Sequence, residues 1–362
     1  MVTTIPEAIS IPITNGPGGH KLRGNLPEFS RNRLSFLTHC ARDYGDFVAL
    51  KFFSFPIYLV SHPQLIEEIL VTQNKSFIKG RGLGRTHRIL GNGLLTSEGD
   101  FWRRQRRLAQ PAFRPQRIEG YSEIMSDFTR LMLEAWKDGQ SMDIHEEMMT
   151  LTLLIVSRAL FDTDVSASTD RVKASLDVGL KHFNSGQSRL IPEWFPTPGN
   201  LRFEQAARQL DEIVYGFIRQ RRTDSNSYGD LLDTLLHARD EDGNQMTDRQ
   251  LRDEIMTIFL AGHETTANAL SWTWMLLSLN PEVEAHLHAE LEGVLHGRTP
   301  TVEDLPALSY NRRVIQESLR LYPPAYIIGR EASQDVKIGG NFLPAGTNFL
   351  MSQWVVHHDA RF

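Results

Sequence analysis

The stretch from Thr247 to Asn280 contains no proline and reads as a single helix, and no other feature of the chain constrains its fold as strongly. It opens with a capping box: the Thr247 hydroxyl is spaced to accept a first-turn N–H, and the Gln250 side chain to reach back to the cap. It stops at Asn280-Pro281, where proline stands in the first turn of the next helix. Such a helix spans roughly 50 Å at 1.5 Å per residue, the width of a whole domain. It needs other helices around it, so the chain is expected to be mainly α.

The rest of the sequence agrees. Helices are expected at Trp102 to Ala109, Glu119 to Lys137, Met148 to Phe161, Phe203 to Arg222, Pro281 to Leu295 and Arg312 to Leu321. The Met148 to Phe161 segment is apolar almost all round, the mark of a buried helix. Aromatic and β-branched residues from Phe47 to Val60, broken at Ser54-Phe55-Pro56, predict two strands and a turn. Val336-Lys337-Ile338, Gly339-Gly340-Asn341 and Phe342-Leu343 predict a hairpin, and Thr347 to Val356 a further strand. The expected fold is therefore mainly α with a small β-sheet region built from distant segments. Residues 1–21, rich in proline and glycine, read as an extended lead-in to one domain covering 22–362.

Composition excludes several classes of function. With a formal net charge of -5 the chain lacks the basic footprint of a nucleic-acid binder, so no nucleic-acid partner is expected. Its single cysteine, Cys40, excludes an internal disulfide framework and fits a reducing compartment. No run of eighteen apolar residues predicts a membrane span. With no signal-like N-terminus either, a cytoplasmic location is expected.

The long helix is interrupted by Ala261-Gly262-His263-Glu264-Thr265-Thr266. Gly262 costs about 1 kcal/mol against alanine in mid-helix, and a carboxylate such as Glu264 is unfavourable in an apolar setting unless neutralised or paired. Ala261 and Thr265 lie one turn apart, giving an open notch with a hydroxyl at its edge and Glu264 alongside. Alone, the hexapeptide also suits a helix whose polar stripe touches water. A zinc protease motif, H-E-x-x-H, fails because Ala267 stands where the second histidine belongs.

Further marks stand in order along the chain, the first before the long helix and the rest after it. Trp102 and Arg106 are one turn apart in a basic run, Trp102-Arg103-Arg104-Gln105-Arg106-Arg107, which by itself suits a solvated helix face. Glu317 and Arg320 stand at i and i+3, a common surface pairing. Leu321-Tyr322-Pro323-Pro324 comes next, then Arg330.

Taken together, from about Leu22 onward, the chain resembles the cytochrome P450 family, soluble bacterial-like haem-thiolate monooxygenases included. The resemblance implies the P450 fold, haem b as cofactor, and electrons from NAD(P)H through a ferredoxin or flavin reductase partner. It implies that Glu264 and Thr265 relay the protons that O–O cleavage consumes, and that Ala261 and Gly262 leave room above the iron. Trp102, Arg106 and Arg330 would hold the haem propionates, arginine suiting a carboxylate through its paired donors. Glu317 and Arg320 would form a buried structural clamp. Arg103, Arg104 and Arg107 would leave a positive surface for an acidic electron donor. Substrate would meet Ile89, Leu90, Phe183, Phe259, Tyr326 and Ile327, an apolar set that suits a lipophilic molecule such as a fatty acid or terpenoid.

In the family the iron is held by a cysteine in an F-x-x-G-x-R-x-C-x-G loop, and the resemblance locates that loop beyond Phe362. No residue of this chain is therefore expected to ligate the metal; Cys40 stands in an expected helix without the glycine-rich context. The expected reaction of the intact protein is insertion of one oxygen atom from O2 into an organic substrate. An isomerase or peroxide-using relative, and a haem-free remnant, are the alternatives.

Overall fold

The computed structural model of the chain describes residues 10–161, 169–184, 195–223 and 230–362. These fall into two units with separate cores: Met1–Gly84 with Leu319–Phe362, and Arg85–Ser318.

The first unit holds the sheets. Strands β1 (Thr14–Asn15), β2 (Phe47–Phe52), β3 (Phe55–Val60), β4 (Phe77–Lys79), β5 (Ile328–Ala332) and β8 (Asn348–Met351) form one sheet in the order β1-β2-β3-β8-β5-β4. Strands β6 (Val336–Ile338) and β7 (Asn341–Leu343) make a separate hairpin. Gly339 and Gly340 turn it with φ of 54° and 81°, a left-handed pair that only glycine adopts cheaply. Part of the expected extended lead-in is thus a strand: β1 pairs in parallel with β2, while residues 1–9 lie outside the described residues.

Two boundaries differ from the sequence reading. The turn between β2 and β3 falls at Phe53-Ser54, with Phe53 at φ 56°, and Pro56 enters the ladder opposite Lys51. The strand expected over Thr347 to Val356 ends at Met351. There the Ser352 side chain accepts the Val355 N–H and starts a short helix, Gln353–His357. The cap decides that boundary, because Trp354, Val355 and Val356 suit a strand as well as a helix. Helices α1 (Leu26–Arg31), α2 (Arg33–Tyr44) and α3 (Pro63–Glu67) complete the unit. Phe36, Leu37 and Cys40 of α2 pack with Val48, Leu50 and Leu59 of the sheet.

The second unit is helical. It contains α4 (His87–Leu90), α5 (Gly99–Ala109), α6 (Pro115–Ala135), α7 (Ile144–Phe161), α8 (Thr169–Asn184), α9 (Pro198–Thr223), α10 (Leu231–His237), α11 (Asp248–Leu279) and α12 (Pro281–Leu295). Helix α13 (Ser309–Leu321) follows. The long helix is α11: Thr247 caps it through the anticipated capping box and Asn280 ends it. It packs along α7 and α9, and α8 packs on α9. Leu153, Leu210, Val214, Leu235, Ile255 and Met256 lie in one buried cluster, each side chain contributing roughly 1.5–3 kcal/mol by leaving water. An ion-pair seam edges this core. Arg88 binds Glu204 at 2.7 Å and Asp211 at 3.0 Å, and Arg252 binds Asp211 as well as Asp253 at 2.9 Å. Among the described residues, no helix is long and apolar enough to cross a membrane.

Candidate active site

Helix α11 changes character along its length. From Leu251 to Thr257 every side chain is buried, whereas Ala261, Gly262, Thr265 and Thr266 are exposed. The face carrying Ala261 and Thr265 is therefore open, with only a methyl group and a hydroxyl to fill it. The Thr265 hydroxyl donates to the Ala261 carbonyl at 2.5 Å, which anchors it at the notch and leaves its oxygen lone pairs outward-facing. Gly262 has a different local cause. A Cβ there would come within 3.2 Å of Val156, so this glycine lets α7 approach α11 closely.

Glu264 is half-buried, and burial pushes its carboxyl above the usual carboxylate range, against a smaller lowering by His145. More of it is protonated near neutrality than of an ordinary glutamate, which suits a proton donor. His263 faces the other way, into α7. Its Nε2 lies 3.0 Å from the Met149 carbonyl, its ring stacks near Phe259, and burial lowers its pKa to about 4. The imidazole is thus neutral, with Nε2–H donating and Nδ1 lacking a partner. Among the described residues, no cluster of three or more His, Cys, Asp or Glu side chains is arranged to hold a metal ion.

Helix α5 carries Trp102 and Arg106. The Arg106 guanidinium lies over the indole, 5.4 Å from the ring centroid. Its neighbours are engaged with acids: Arg103 with Asp100, Arg104 with Asp240 at 2.7 Å, Arg107 with Glu241. The positive surface expected from those three arginines is accordingly neutralised by carboxylates one side chain away. Exposed Arg106 has no carboxylate partner among the described residues, so its donors remain for an anionic ligand. That donor set fits a haem propionate.

Arg330, in the other unit, stands on β5 between β4 and β8, opposite Lys79 and Phe349, and donates to the Gly329 carbonyl at 2.9 Å. Glu317 and Arg320 share a face of α13, and both are exposed in this chain. Between them, Ser318 is buried. Arg320 does clamp the chain, donating to the His357 carbonyl at 2.5 Å, while His357 Nδ1 meets the Arg320 carbonyl at 3.1 Å.

The expected substrate contacts scatter. Ile89, Leu90 and Phe259 belong to the buried core of the second unit, because apolar side chains on α4 and the inner half of α11 pack against each other. Of these, Phe259 also lines a small apolar cavity with Val172, Leu210, Val214, Phe217 and Met256. Ile327 packs against the core of the first unit, and the Tyr326 hydroxyl accepts from Arg33 at 3.0 Å. The Phe183 side chain lies outside the described residues. Reading the sequence missed Gln105, Asp253 and Glu254, all buried; the available signal was a charged triplet, Arg252-Asp253-Glu254, inside an otherwise apolar helix.

The chain belongs to the cytochrome P450 family, whose pattern matches residues 15–362. Membership brings a haem cofactor, a redox partner that supplies electrons, a hydrophobic substrate and the monooxygenase reaction. It is 38% identical over 356 residues to the cyclooctat-9-en-7-ol 5-monooxygenase of Streptomyces melanosporofaciens, covering 96% of this chain and 77% of that protein. Cyclooctatin synthase of the same organism is 37% identical, with 96% and 76% covered. Pentalenene oxygenase of Streptomyces avermitilis is 36% identical, with 93% and 75% covered.

Proposed function

We propose that Glu264 and Thr265 are the proton-relay pair of this monooxygenase, and that Trp102 and Arg106 hold a propionate of haem b. The observation that carries the reading is the open face of α11, where a hydroxyl and a half-buried carboxyl flank space kept clear by Ala261. Bound haem supplies the iron centre at which O2 is reduced and one oxygen atom is transferred to substrate. Thr265, fixed to the Ala261 carbonyl, presents an oxygen that accepts and passes a proton; Glu264, held partly neutral by burial, supplies it. Arg106, stacked on Trp102, presents a guanidinium already oriented for a carboxylate.

Electrons come from NAD(P)H through a ferredoxin or flavin reductase. The substrate is lipophilic and of terpenoid type, because the relatives' names specify an alkenol and an alkene and the cavity beside Phe259 is apolar.

The test is Thr265→Ala in the holoenzyme. Reductant consumption is expected to continue while product per electron falls about tenfold or more and peroxide appears in its place, within the range typical for one proton-transfer group. Unchanged coupling in that variant removes Thr265 from the relay.

A further inference from the structure

Gln105 and Glu254 are both fully buried, at 0% exposure, and they meet across the α5–α11 contact. Gln105 Nε2 donates to Glu254 Oε1 at 3.0 Å, and the other carboxylate oxygen accepts the Leu94 backbone N–H, also at 3.0 Å. Gln105 Oε1 in turn accepts from Arg104, which reaches Asp240 at 2.7 Å. The loop before α5 is locked to the same spot. Asp253 accepts the Asn92 N–H at 2.9 Å, and a Cβ on Gly91 would stand 1.9 Å from that carboxylate.

The helical register gives this junction its meaning. Glu254, Ala261 and Thr265 are spaced by seven and four residues, so they line one stripe of α11. Glu254 therefore lies on the side of the helix that opens at the notch, roughly 16 Å before Thr265 at 1.5 Å per residue. On α5, Gln105 stands between Trp102 and Arg106. The side chain that joins α5 to the stripe is thus in the same helical turn as the two side chains read as the propionate site, roughly 60° from Trp102 and 100° from Arg106 around the axis. An apolar contact would tolerate sliding; paired directional hydrogen bonds in a buried setting fix register and rotation.

We infer that the buried Gln105–Glu254 pair is a positioning device that sets Trp102 and Arg106 at the correct height and angle along the open stripe of α11. Neither residue touches the ligand. The inference rests on the reading of Arg106 as a propionate ligand, and its test keeps the two separable.

The experiment compares the full chain with Gln105→Glu, Glu254→Gln, the double exchange and Arg106→Met. Haemin binding is read by absorbance titration, and protection of the Leu94 and α5 amides by hydrogen exchange. Gln105→Glu sets carboxylate against carboxylate. Glu254→Gln, its oxygen held by the Leu94 N–H, either turns an amide NH2 against Gln105 Nε2 or, if the Gln105 amide turns over, leaves Gln105 Nε2 facing the Arg104 donor. Each is expected to speed exchange at Leu94 and to weaken haemin binding by about tenfold or more, the scale of one charged hydrogen bond. The double exchange restores the donor–acceptor match in reversed polarity, so both readouts should return towards the wild-type values. Single variants that lose amide protection yet bind haemin as tightly as wild type show a merely structural pair and overturn the inference. A double exchange that restores neither readout overturns it too. Should Gln105→Glu not fold, recovery of folding and haemin affinity in the double exchange supports the inference, and failure of that protein to fold overturns it. Arg106→Met reports on the underlying reading alone: unchanged haemin affinity there, with the exchange pattern intact, removes Arg106 as a ligand.

Discussion

At the scale of single residues, His263 shows how two neighbours in one motif take opposite tasks. Glu264 is half-buried beside the notch, while His263 is buried against α7 with its Nε2 on the Met149 carbonyl. Burial lowers the histidine pKa from 6.5 to about 4. A native state that resists protonation binds fewer protons than the unfolded chain between those values, so stability falls as pH drops through that window. The full effect is at most roughly 3 kcal/mol from the unit-to-energy conversion. His263→Gln, which keeps an amide donor for the Met149 carbonyl, should flatten the dependence of urea-unfolding free energy on pH between about 6.5 and 4. An unaltered slope in that variant assigns the acid sensitivity elsewhere. Glu264 has the opposite sign: its raised pKa makes the native state the tighter proton binder, and its contribution weakens as pH rises through the folded value.

At the scale of elements, legibility followed how local the determinant was. The capping box of α11 and the glycine turn of the β6–β7 hairpin are written within a few consecutive residues, and both stand where the sequence put them. The end of β8 depends on a single serine choosing between ladder and cap, and the pattern of apolar residues does not carry that choice. Gly262 depends on what packs against it, and its sequence neighbours are silent about Val156. Its substitution is a test of the α7–α11 contact. Alanine there adds helix propensity of about 1 kcal/mol, offset by a methyl group at 3.2 Å from Val156. Gly262→Ile cannot be accommodated in the same way and should destabilise the protein by about 1–3 kcal/mol through overpacking. Val156→Ala in that background should recover part of the loss, read as a double-mutant cycle by thermal unfolding; strict additivity would place the Gly262 side-chain site away from α7.

At the scale of the whole molecule, a small sheet assembled from distant segments was foreseeable, but its order was not. β3 pairs with β8 across almost the entire chain, and such non-local pairing leaves no mark in either strand taken alone. The role of the single cysteine was legible only by exclusion, and the structure supplies its cause. Cys40 lies on α2 with no exposed surface, packed with Phe36, Leu37, Val48 and Leu59. Burial, helped by Asp43, raises its thiol pKa to about 12. The thiolate is the form that attacks electrophiles and binds metals, and at neutral pH it is present only at about one part in ten thousand or less. Cys40 is therefore an apolar core group that cannot serve as a haem ligand in the folded chain. The expected consequence is that a thiol reagent such as dithiobis-nitrobenzoate leaves the native protein unlabelled and modifies Cys40 only as that core opens. Labelling rates measured across a urea series should then follow the opening of the α2–sheet core, with the same midpoint as circular dichroism if that core melts with the rest. Rapid stoichiometric labelling without denaturant would contradict the packing of α2 on the sheet, and with it the reason Cys40 is excluded as a ligand.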